Sequence, residues 1–280
     1  MYIRCWGSRG SVPVSGKEYE KYGGDTTCIE IRSRDDDIII IDAGTGIRKL
    51  GNKLLAEKRF DYHLIFTHAH LDHIMGFPFF KPFYVRQSQF RMYRCPDSRF
   101  VRTMLSNIMD PPFFPVRFMD AMSKIIYMDG IDCRGHFRIG SMQIETIPIS
   151  HPNTGRGYRF MEDGKKFVFI TDNELGFGHP GGMGFDDYVR FASGADLLIH
   201  DAEYTPEEYW KLATWGHSSY TDVLELALKA DVKKVGLFHL NQDRTDEQVD
   251  EMVDNCRRII AEKNSRLECF AVSCTSEFYL

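Results

Sequence analysis

The stretch THAHLDHIMG at residues 67–76 decides how this chain of 280 residues is interpreted. It places three histidines and one aspartate in a His-x-His-x-Asp-His pattern. His68 and His70 are two positions apart, so in an extended segment their imidazoles project to the same side. Asp72 and His73 follow where the chain is expected to turn, and can address a second ion nearby. Imidazole and carboxylate groups are ligands of Zn²⁺, Mn²⁺ and Fe²⁺, which predicts a metal site here.

Three further candidate ligands lie at the ends of predicted strands. His151 closes IETIPISH, Asp172 closes FVFITD and His239 closes VGLFH. Strand ends that meet at one edge of a sheet are common positions for sites in layered α/β folds. Taken singly, each of them is equally well explained as a turn residue. Their shared position predicts that they join the histidines of residues 68–73.

Composition and charge bound the class of protein. A hydrophobic content of 43% and a charged content of 27% are typical of a globular chain. The net charge of −5 argues against a general nucleic-acid binder, which is usually basic. The cysteines are odd in number and include no Cys-x-x-Cys pair, which favours reduced thiols and a cytoplasmic location. With no secretory segment and no run of about 18 apolar residues, we expect no membrane partner.

Hydrophobic periodicity predicts a strand-rich first part and a later part in which strands and helices alternate. Strands are predicted at 2–6, 28–32, 38–42, 62–67, 144–150, 157–161, 166–171, 197–201 and 235–239. Helices are predicted at 46–58, 220–230 and 245–263. This order predicts an α/β (α+β) fold in which sheet layers are covered by helices.

Residues 77–138 differ from the rest of the chain. They hold 13 of the 37 aromatic residues, 6 of the 11 prolines, and 10 Lys and Arg against 5 Asp, a local charge of +5. Such a segment is typical of a basic, aromatic-rich cap or insertion beside an active site, where positive charge favours an anionic substrate. A Pro-rich satellite hydrophobic cluster with solvated arginines explains the same composition, and both interpretations stay open.

Several motifs together resemble one known family. They are WGSRGS at 6–11, YGGDTTC at 22–28, DAGTGIRKLG at 42–51, HIMGFPFF at 73–80, TDNE at 171–174 and WGHSSYTD at 215–222. With the His-rich stretch, they resemble the metallo-β-lactamase superfamily over nearly the whole chain. Within it they resemble a bacterial subgroup related to phosphoribosyl cyclic phosphodiesterase and the tRNA 3′-end processing endonuclease. The resemblance implies a four-layer αββα sandwich forming a single domain over residues 1–280.

The resemblance also implies how the ligands are shared between two divalent ions. One ion is held by His68, His70 and His151, the other by Asp72, His73 and His239, and Asp172 bridges them. Zinc is the first expectation, with manganese or iron as alternatives. Asp42 would anchor metal-binding histidines from behind. Homodimerisation is also carried over from the family.

Substrate contacts are carried over from the N-terminal loops of the family. By resemblance, backbone N–H groups and Ser8, Arg9 or Thr26 would meet a substrate anion. One departure from the family pattern is that Asn153 and Thr154 replace a usual pair of glycines after His151, which is expected to reshape the pocket rim.

Asp72, His217 and Asp201 are the predicted catalytic residues. His217 lies in a Gly-His-Ser-Ser loop ahead of a predicted helix and is not one of the seven ligands. In the phosphodiesterases that the chain resembles, the matching histidine is a general acid held by a carboxylate at the end of a strand, here Asp201. A helix-capping loop with a solvent-exposed histidine is the alternative. We interpret His200 as a core residue, and His63, His136 and His179 as structural or surface residues.

These features predict a dinuclear metal-dependent hydrolase. The preferred function is a phosphodiesterase that cleaves a small cyclic or linear, nucleotide-like phosphodiester with a hydroxide bridging the metals. The expected partner is thus a small anionic phosphodiester, favoured over nucleic acid. The alternatives are an RNA-processing nuclease or an ester, thioester or lactone hydrolase on the same platform. A non-catalytic metal-binding subunit or sensor is a further alternative, which predicts metal binding without turnover.

Overall fold

Two seven-stranded sheets lie at the centre of the computed structural model, which describes residues 1–93, 98–128 and 135–280. Across the first sheet the order is β14 (Glu277–Tyr279), β1 (Tyr2–Gly7), β2 (Cys28–Arg32), β3 (Ile38–Ile41), β4 (Asp61–Ile65), β5 (Gln89–Tyr93), β6 (Lys124–Met128). Across the second it is β13 (Glu268–Ala271), β12 (Lys234–Phe238), β11 (Leu197–Asp201), β10 (Lys165–Ile170), β9 (Arg156–Glu162), β8 (Met142–Pro148), β7 (His136–Ile139).

Both sheets are mixed, and each contains a parallel half. Strands β3 to β6 pair in parallel in the first sheet, and β10 to β13 do so in the second. The strands β7 to β10 form an antiparallel meander. Because β8 and β10 are both antiparallel to β9, they run in the same direction. The carboxyl ends of β8, β10, β11 and β12 therefore meet at one edge of the second sheet.

Among the described residues there are six α-helices. They are α1 (Ile47–Ala56), α2 (Ser98–Met109), α3 (Phe185–Ala192), α4 (Pro206–Leu212), α5 (Tyr220–Lys229) and α6 (Asp246–Glu262). All except α4 pack on the outer face of one of the two sheets. Side chains of α1 and α2 share a core with the outer face of the first sheet, and those of α3, α5 and α6 do so with the second. A third core joins the inner faces of the sheets. The layers are thus helix, sheet, sheet and helix, which confirms the predicted αββα arrangement.

Most predicted elements are confirmed to within a few residues. Strands β2 and β11 coincide with the predicted ranges, and α5 and α6 end one residue earlier than predicted. Three helices and five strands of the described residues were not predicted: α2, α3, α4, β5, β6, β7, β13 and β14. None of the helices in the described part of the chain combines the length and the apolar character that a membrane span requires.

The described part of residues 77–138 contains two strands that were not predicted, and the cap itself stays a prediction. Strands β5 and β6 pair in parallel with β4 and extend the first sheet. The side chains of Phe77, Phe80 and Phe83 are fully buried in the core beneath α1. These aromatic side chains therefore belong to the core between the first sheet and its helices. Residues 94–97 and 129–134 of the predicted cap lie outside the described residues, and Cys95 and Cys133 with them.

Candidate metal centre

The His-rich loop follows β4 and is fixed to the end of the neighbouring strand β3. Asp42, the residue after β3, accepts hydrogen bonds from the backbone N–H of Thr67 at 2.8 Å and from its hydroxyl at 2.7 Å. Its Oδ2 also lies 2.8 Å from Nδ1 of His73. The loop then forms a single 3-10 turn over Leu71–His73. The end of β3 thereby orients the turn that carries the ligands, as expected for Asp42.

The second sheet contributes single side chains from the ends of three strands. His151 follows β8, Asp172 follows β10 and His239 directly follows β12. Asp172 and His239 have φ angles of 54° and 52°, in the left-handed region that non-glycine residues rarely adopt. Such strain is typical of functional sites, where the surrounding structure compensates for it. Both residues turn their side chains towards the His-rich loop.

The first cluster consists of His68, His70, His151 and Asp172, whose ligand atoms all lie within 4.8 Å of one another. The Oδ2 atom of Asp172 is 3.6 Å from Nε2 of His68 and 3.9 Å from Nε2 of His151. Nδ1 of His70 lies 3.0 Å from Nε2 of His151. The three imidazoles thus converge on one carboxylate oxygen.

The second cluster consists of Asp72, His73, Asp172 and His239, with ligand atoms again within 4.8 Å of one another. Nε2 of His73 is 3.2 Å from Oδ1 of Asp172, while Nε2 of His239 is 3.3 Å from Oδ2. Asp72 is held in place by the backbone N–H of Ser11, which donates to its Oδ2 at 2.9 Å. The seven predicted ligands therefore lie together, and Asp172 belongs to both clusters.

The donor atoms of the two clusters fit divalent cations. Nε2 of His68 and Nε2 of His73 are buried and make no hydrogen bond among the described residues. A buried polar atom without a partner costs free energy, so a ligand is expected to meet these atoms. Nitrogen and carboxylate donors converging in this number are the set used by Zn²⁺ and related ions. The clusters are therefore suited to binding divalent metal.

The protonation preferences of the histidines differ between the clusters. Burial lowers the pKa of His68 well below its usual value and that of His151 to about 4. Burial also disfavours protonation of His73 and His239, but their carboxylate neighbours outweigh it and raise both pKa values well above 6.5. Asp172 is among these neighbours, and its own pKa is well below the usual value despite burial. The histidines of the second cluster therefore lie in the more negatively charged surroundings.

His217 lies between two carboxylates beside the second cluster. Its Nδ1 is 3.6 Å from Oδ2 of Asp201, and its Nε2 is 3.5 Å from Oε2 of Glu203. Its ring stacks on His239 with a centroid separation of 4.8 Å. Burial opposes protonation, yet Glu203 and Asp201 raise the pKa of His217 to about 8. The side chain is buried rather than solvent-exposed, which argues against the alternative of a simple capping loop.

Glu203 was not predicted from the sequence. Its carboxylate is buried, lies 3.0 Å from Nδ1 of His239 and accepts a hydrogen bond from Nδ2 of Asn241 at 3.0 Å. It belongs to a third group of ligand-type side chains with His217 and His239. In the sequence HDAEYT at residues 200–205, only Asp201 was predicted to have a role. Glu203 lies beyond the end of β11 and resembles an exposed acid.

Glu174, in the TDNE motif, organises the loop behind His151. Its buried carboxylate accepts hydrogen bonds from the backbone N–H groups of Thr214 at 2.7 Å and Gly216 at 2.8 Å. The carbonyl oxygen of Gly216 lies 2.8 Å from Nδ1 of His151. Gly216 has a φ of 95°, and a Cβ there would lie 2.1 Å from that nitrogen. Residue 216 must therefore be glycine for the loop to lie this close to His151.

The structure places the predicted substrate contacts Ser8, Arg9 and Thr26 in buried positions of the N-terminal loops. All three residues have no exposed surface. The guanidinium of Arg9 donates to the carbonyl oxygens of Gly23, Asn241 and Arg244. The hydroxyl of Thr26 accepts from the backbone N–H of Thr45. These side chains tie the N-terminal loop to the sheets, and their contact with substrate stays a prediction.

The remaining histidines are placed largely as interpreted. His200 is fully buried, with Nδ1 2.8 Å from the carbonyl oxygen of Asp201 and Nε2 3.1 Å from the side-chain nitrogen of Asn173. His63 lies 2.7 Å from the hydroxyl of Tyr93. His179 lies 2.8 Å from Oε2 of Glu174 and therefore belongs to the loop that supports the first cluster.

Comparison with family models decides the classification. The model described as a beta-lactamase superfamily domain matches residues 38–240, which include all seven residues of the two clusters. The chain belongs to the metallo-β-lactamase superfamily. Similar curated proteins include ribonuclease Z of Natronomonas pharaonis, 22% identical over 86% of this chain and 87% of that protein. Ribonuclease Z of Haloarcula marismortui is also 22% identical, over 92% and 91% of the two chains.

Three solved structures share the fold of this chain across nearly their full length. The metallo-β-lactamase fold protein YhfI from Bacillus subtilis has a TM-score of 0.69 at 18% identity, with 99% of this chain and 98% of that chain covered. A diphosphatase from the PhnP family has a TM-score of 0.67 at 15% identity, covering 100% and 97%. The short form of human tRNase Z has a TM-score of 0.65 at 16% identity, covering 100% and 99%. These similarities confirm the fold expected from the sequence.

Proposed function

We propose that this protein is a dinuclear metal-dependent phosphodiesterase. The observation that carries the proposal is the pair of ligand clusters that share Asp172 at the facing edges of the two sheets. His68, His70 and His151 would hold one ion together with Asp172. Asp72, His73 and His239 would hold the other. When bound, two divalent cations supply Lewis acidity, which activates water and neutralises charge on phosphoryl oxygens.

The role proposed for His217 is that of the general acid. It lies beside the second cluster, with a carboxylate near each ring nitrogen and an imidazole stacked on its face. The carboxylates of Asp201 and Glu203 would stabilise its protonated form, so that it can donate a proton to the leaving oxygen. Asp201 is itself fixed by the backbone N–H groups of Asn173 and Ser218 at 2.9 and 3.0 Å. These bonds hold the carboxylate of Asp201 in place beside His217.

A small phosphodiester is the preferred substrate, in keeping with a net charge of −5. An RNA-processing nuclease is the second candidate, because two similar curated proteins named ribonuclease Z match 86% and 92% of this chain. Zinc is proposed as the first metal, with manganese and iron as alternatives. The described cysteines are all free thiols and buried, which supports a cytoplasmic location. A homodimer is expected from the resemblance, and light scattering of the purified protein would test it.

A substrate panel tests the proposed function. It comprises bis-p-nitrophenyl phosphate, 2′,3′- and 3′,5′-cyclic nucleotides, an RNA with a 3′ extension, a lactone and a thioester. The proposal expects hydrolysis of the phosphodiesters, loss of that activity after chelation, and recovery when Zn²⁺ or Mn²⁺ is added. Faster cleavage of the RNA than of every small phosphodiester would favour the nuclease. Turnover of only the lactone or thioester would overturn both phosphodiester assignments.

A further inference from the structure

The histidines of the two clusters differ in what lies behind them. In the second cluster, Nδ1 of His73 is 2.8 Å from Oδ2 of Asp42, and Nδ1 of His239 is 3.0 Å from Oε2 of Glu203. Each of these imidazoles therefore contacts a carboxylate on the side away from the cluster. Such outer carboxylates orient a histidine and make it a stronger donor to a metal ion.

The histidines of the first cluster are supported by neutral oxygens instead. Nδ1 of His68 lies 3.1 Å from the hydroxyl of Thr67, which itself donates to Asp42. Nδ1 of His151 lies 2.8 Å from the carbonyl oxygen of Gly216. These groups fix the orientation of the rings but bring no negative charge. Apart from the shared Asp172, the first cluster contains no carboxylate, whereas the second contains Asp72 as well.

Burial increases the difference in how strongly the two clusters attract a cation. All four residues of the second cluster are buried, and so are Asp42 and Glu203, with 0% and 4% of their surface exposed. In the first cluster, His70 is only partly buried. Charges attract a cation more strongly where water is excluded. Solvent therefore screens the attraction between the carboxylates around the second cluster and a cation only weakly. The first cluster is open to solvent at His70, while its other three residues are buried.

We infer that the two metal positions are unequal: the second cluster binds a divalent cation first and retains it, while the first cluster binds a cation that exchanges with solvent. The inference rests on the proposed dinuclear centre and not on the identity of the substrate. It follows that metal-limited protein holds one ion, and that activity responds to the free metal concentration through the first cluster. Glu203 acts here as a positioning residue for His239.

The test is a titration of metal-free protein with Mn²⁺, with the free ion measured by electron paramagnetic resonance. Two binding steps are expected, the first at least tenfold tighter than the second. Glu203→Gln keeps the shape of the side chain and removes its charge. It is expected to weaken the tighter step by about 10–100-fold and to leave the weaker step unchanged. Glu174→Gln is the matched control, because it alters a buried carboxylate that holds the loop in contact with His151 of the first cluster, and the tighter step should be unchanged.

Ligand variants assign the steps to the clusters. His70→Ala should remove the weaker step and spare the tighter one, while Asp72→Ala should remove the tighter step. Thermal unfolding of each metal-free variant checks that it is folded. Two equal steps, or loss of the tighter step in His70→Ala, would overturn the inference. A protein with two unequal steps that hydrolyses no phosphodiester would refute the proposed function alone, so the two failures are distinguishable.

Discussion

The two sheets build their shares of the metal centre in different ways. The first sheet provides one short loop, in which His68, His70, Asp72 and His73 lie within six residues. The second sheet provides one residue from each of several strand ends, separated by up to 88 positions from His151 to His239. The ligands from the first sheet form a local motif, and their closeness in the chain sets the distances between them. The ligands from the second sheet depend on strand pairing, because only the parallel arrangement of the strands brings them together.

The largest expected effect comes from the one residue that joins both clusters. Asp172→Ala should abolish binding of the two ions and reduce phosphodiester turnover by about 10³-fold or more, since several kcal/mol of charge stabilisation are lost. Metal content by mass spectrometry and the turnover rate are the measurements. Asp35→Ala, which changes an exposed carboxylate, is the control and should alter neither. A variant that keeps two ions would show that the second sheet is not needed to bridge the clusters.

His217 tests whether the second sheet adds chemistry that the first sheet lacks. His217→Ala should slow hydrolysis of a phosphodiester with a poor leaving group by about 10²–10⁴-fold, because the leaving oxygen no longer receives a proton. An activated nitrophenyl ester needs no such proton and should be nearly unaffected. The measurement is kcat for both substrates, with His136→Ala on β7 as a control for loss of an exposed imidazole. Equal losses on the two substrates would contradict the acid role.

Glu174 tests whether the dispersed ligands depend on their supporting loops. Glu174→Gln weakens the hold on the backbone N–H groups of Thr214 and Gly216, and with it the position of His151. The Mn²⁺ concentration for half-maximal activity should rise by about 10–100-fold. Tyr209→Phe removes one donor to the same carboxylate and should cause a smaller rise. An unchanged metal requirement in Glu174→Gln would show that His151 is fixed by other contacts.

The smallest expected effect concerns the pocket rim. Asn153 and Thr154 have φ angles of 67° and 65°, so the backbone keeps the conformation favoured by the glycine pair of related proteins. Thr154→Gly should raise the free energy of unfolding by about 1 kcal/mol, since a β-branched residue is strained there. Asn153→Gly should give less, because asparagine tolerates this region and its side chain lies 3.4 Å from Nε2 of His70. Chemical denaturation measures both, and a destabilised Thr154→Gly would refute the strain argument.

The same comparison explains which features could be predicted from the sequence. The loop at residues 67–76 was recognisable because its ligands are adjacent in the chain, and strand ends identified His151, Asp172 and His239. Glu203 and Glu174 were not predicted, because their roles depend on burial by distant loops. The amino-acid sequence does not reveal that burial. The left-handed backbone at Asp172 and His239 has no sequence signal either.

The segment at residues 77–138 shows where composition is least informative. Its aromatic residues, prolines and positive charge left a cap and a satellite hydrophobic cluster both open, and neither interpretation included β5 and β6, which are short parallel strands of the first sheet. Parallel strands can form from residues far apart in the chain, so local composition did not reveal them. Arg9 has a similar limit, because the sequence does not reveal that its guanidinium donates to three backbone carbonyl oxygens and pairs with Asp246.

In the proposed centre, both sheets bind the same pair of ions. Anomalous X-ray diffraction from crystals grown with Mn²⁺ would locate these ions. We expect two anomalous peaks, one among His68, His70 and His151 and one among Asp72, His73 and His239, with Asp172 contacting both. Peaks confined to the His-rich loop, with Asp172 and His239 uncoordinated, would contradict this expectation.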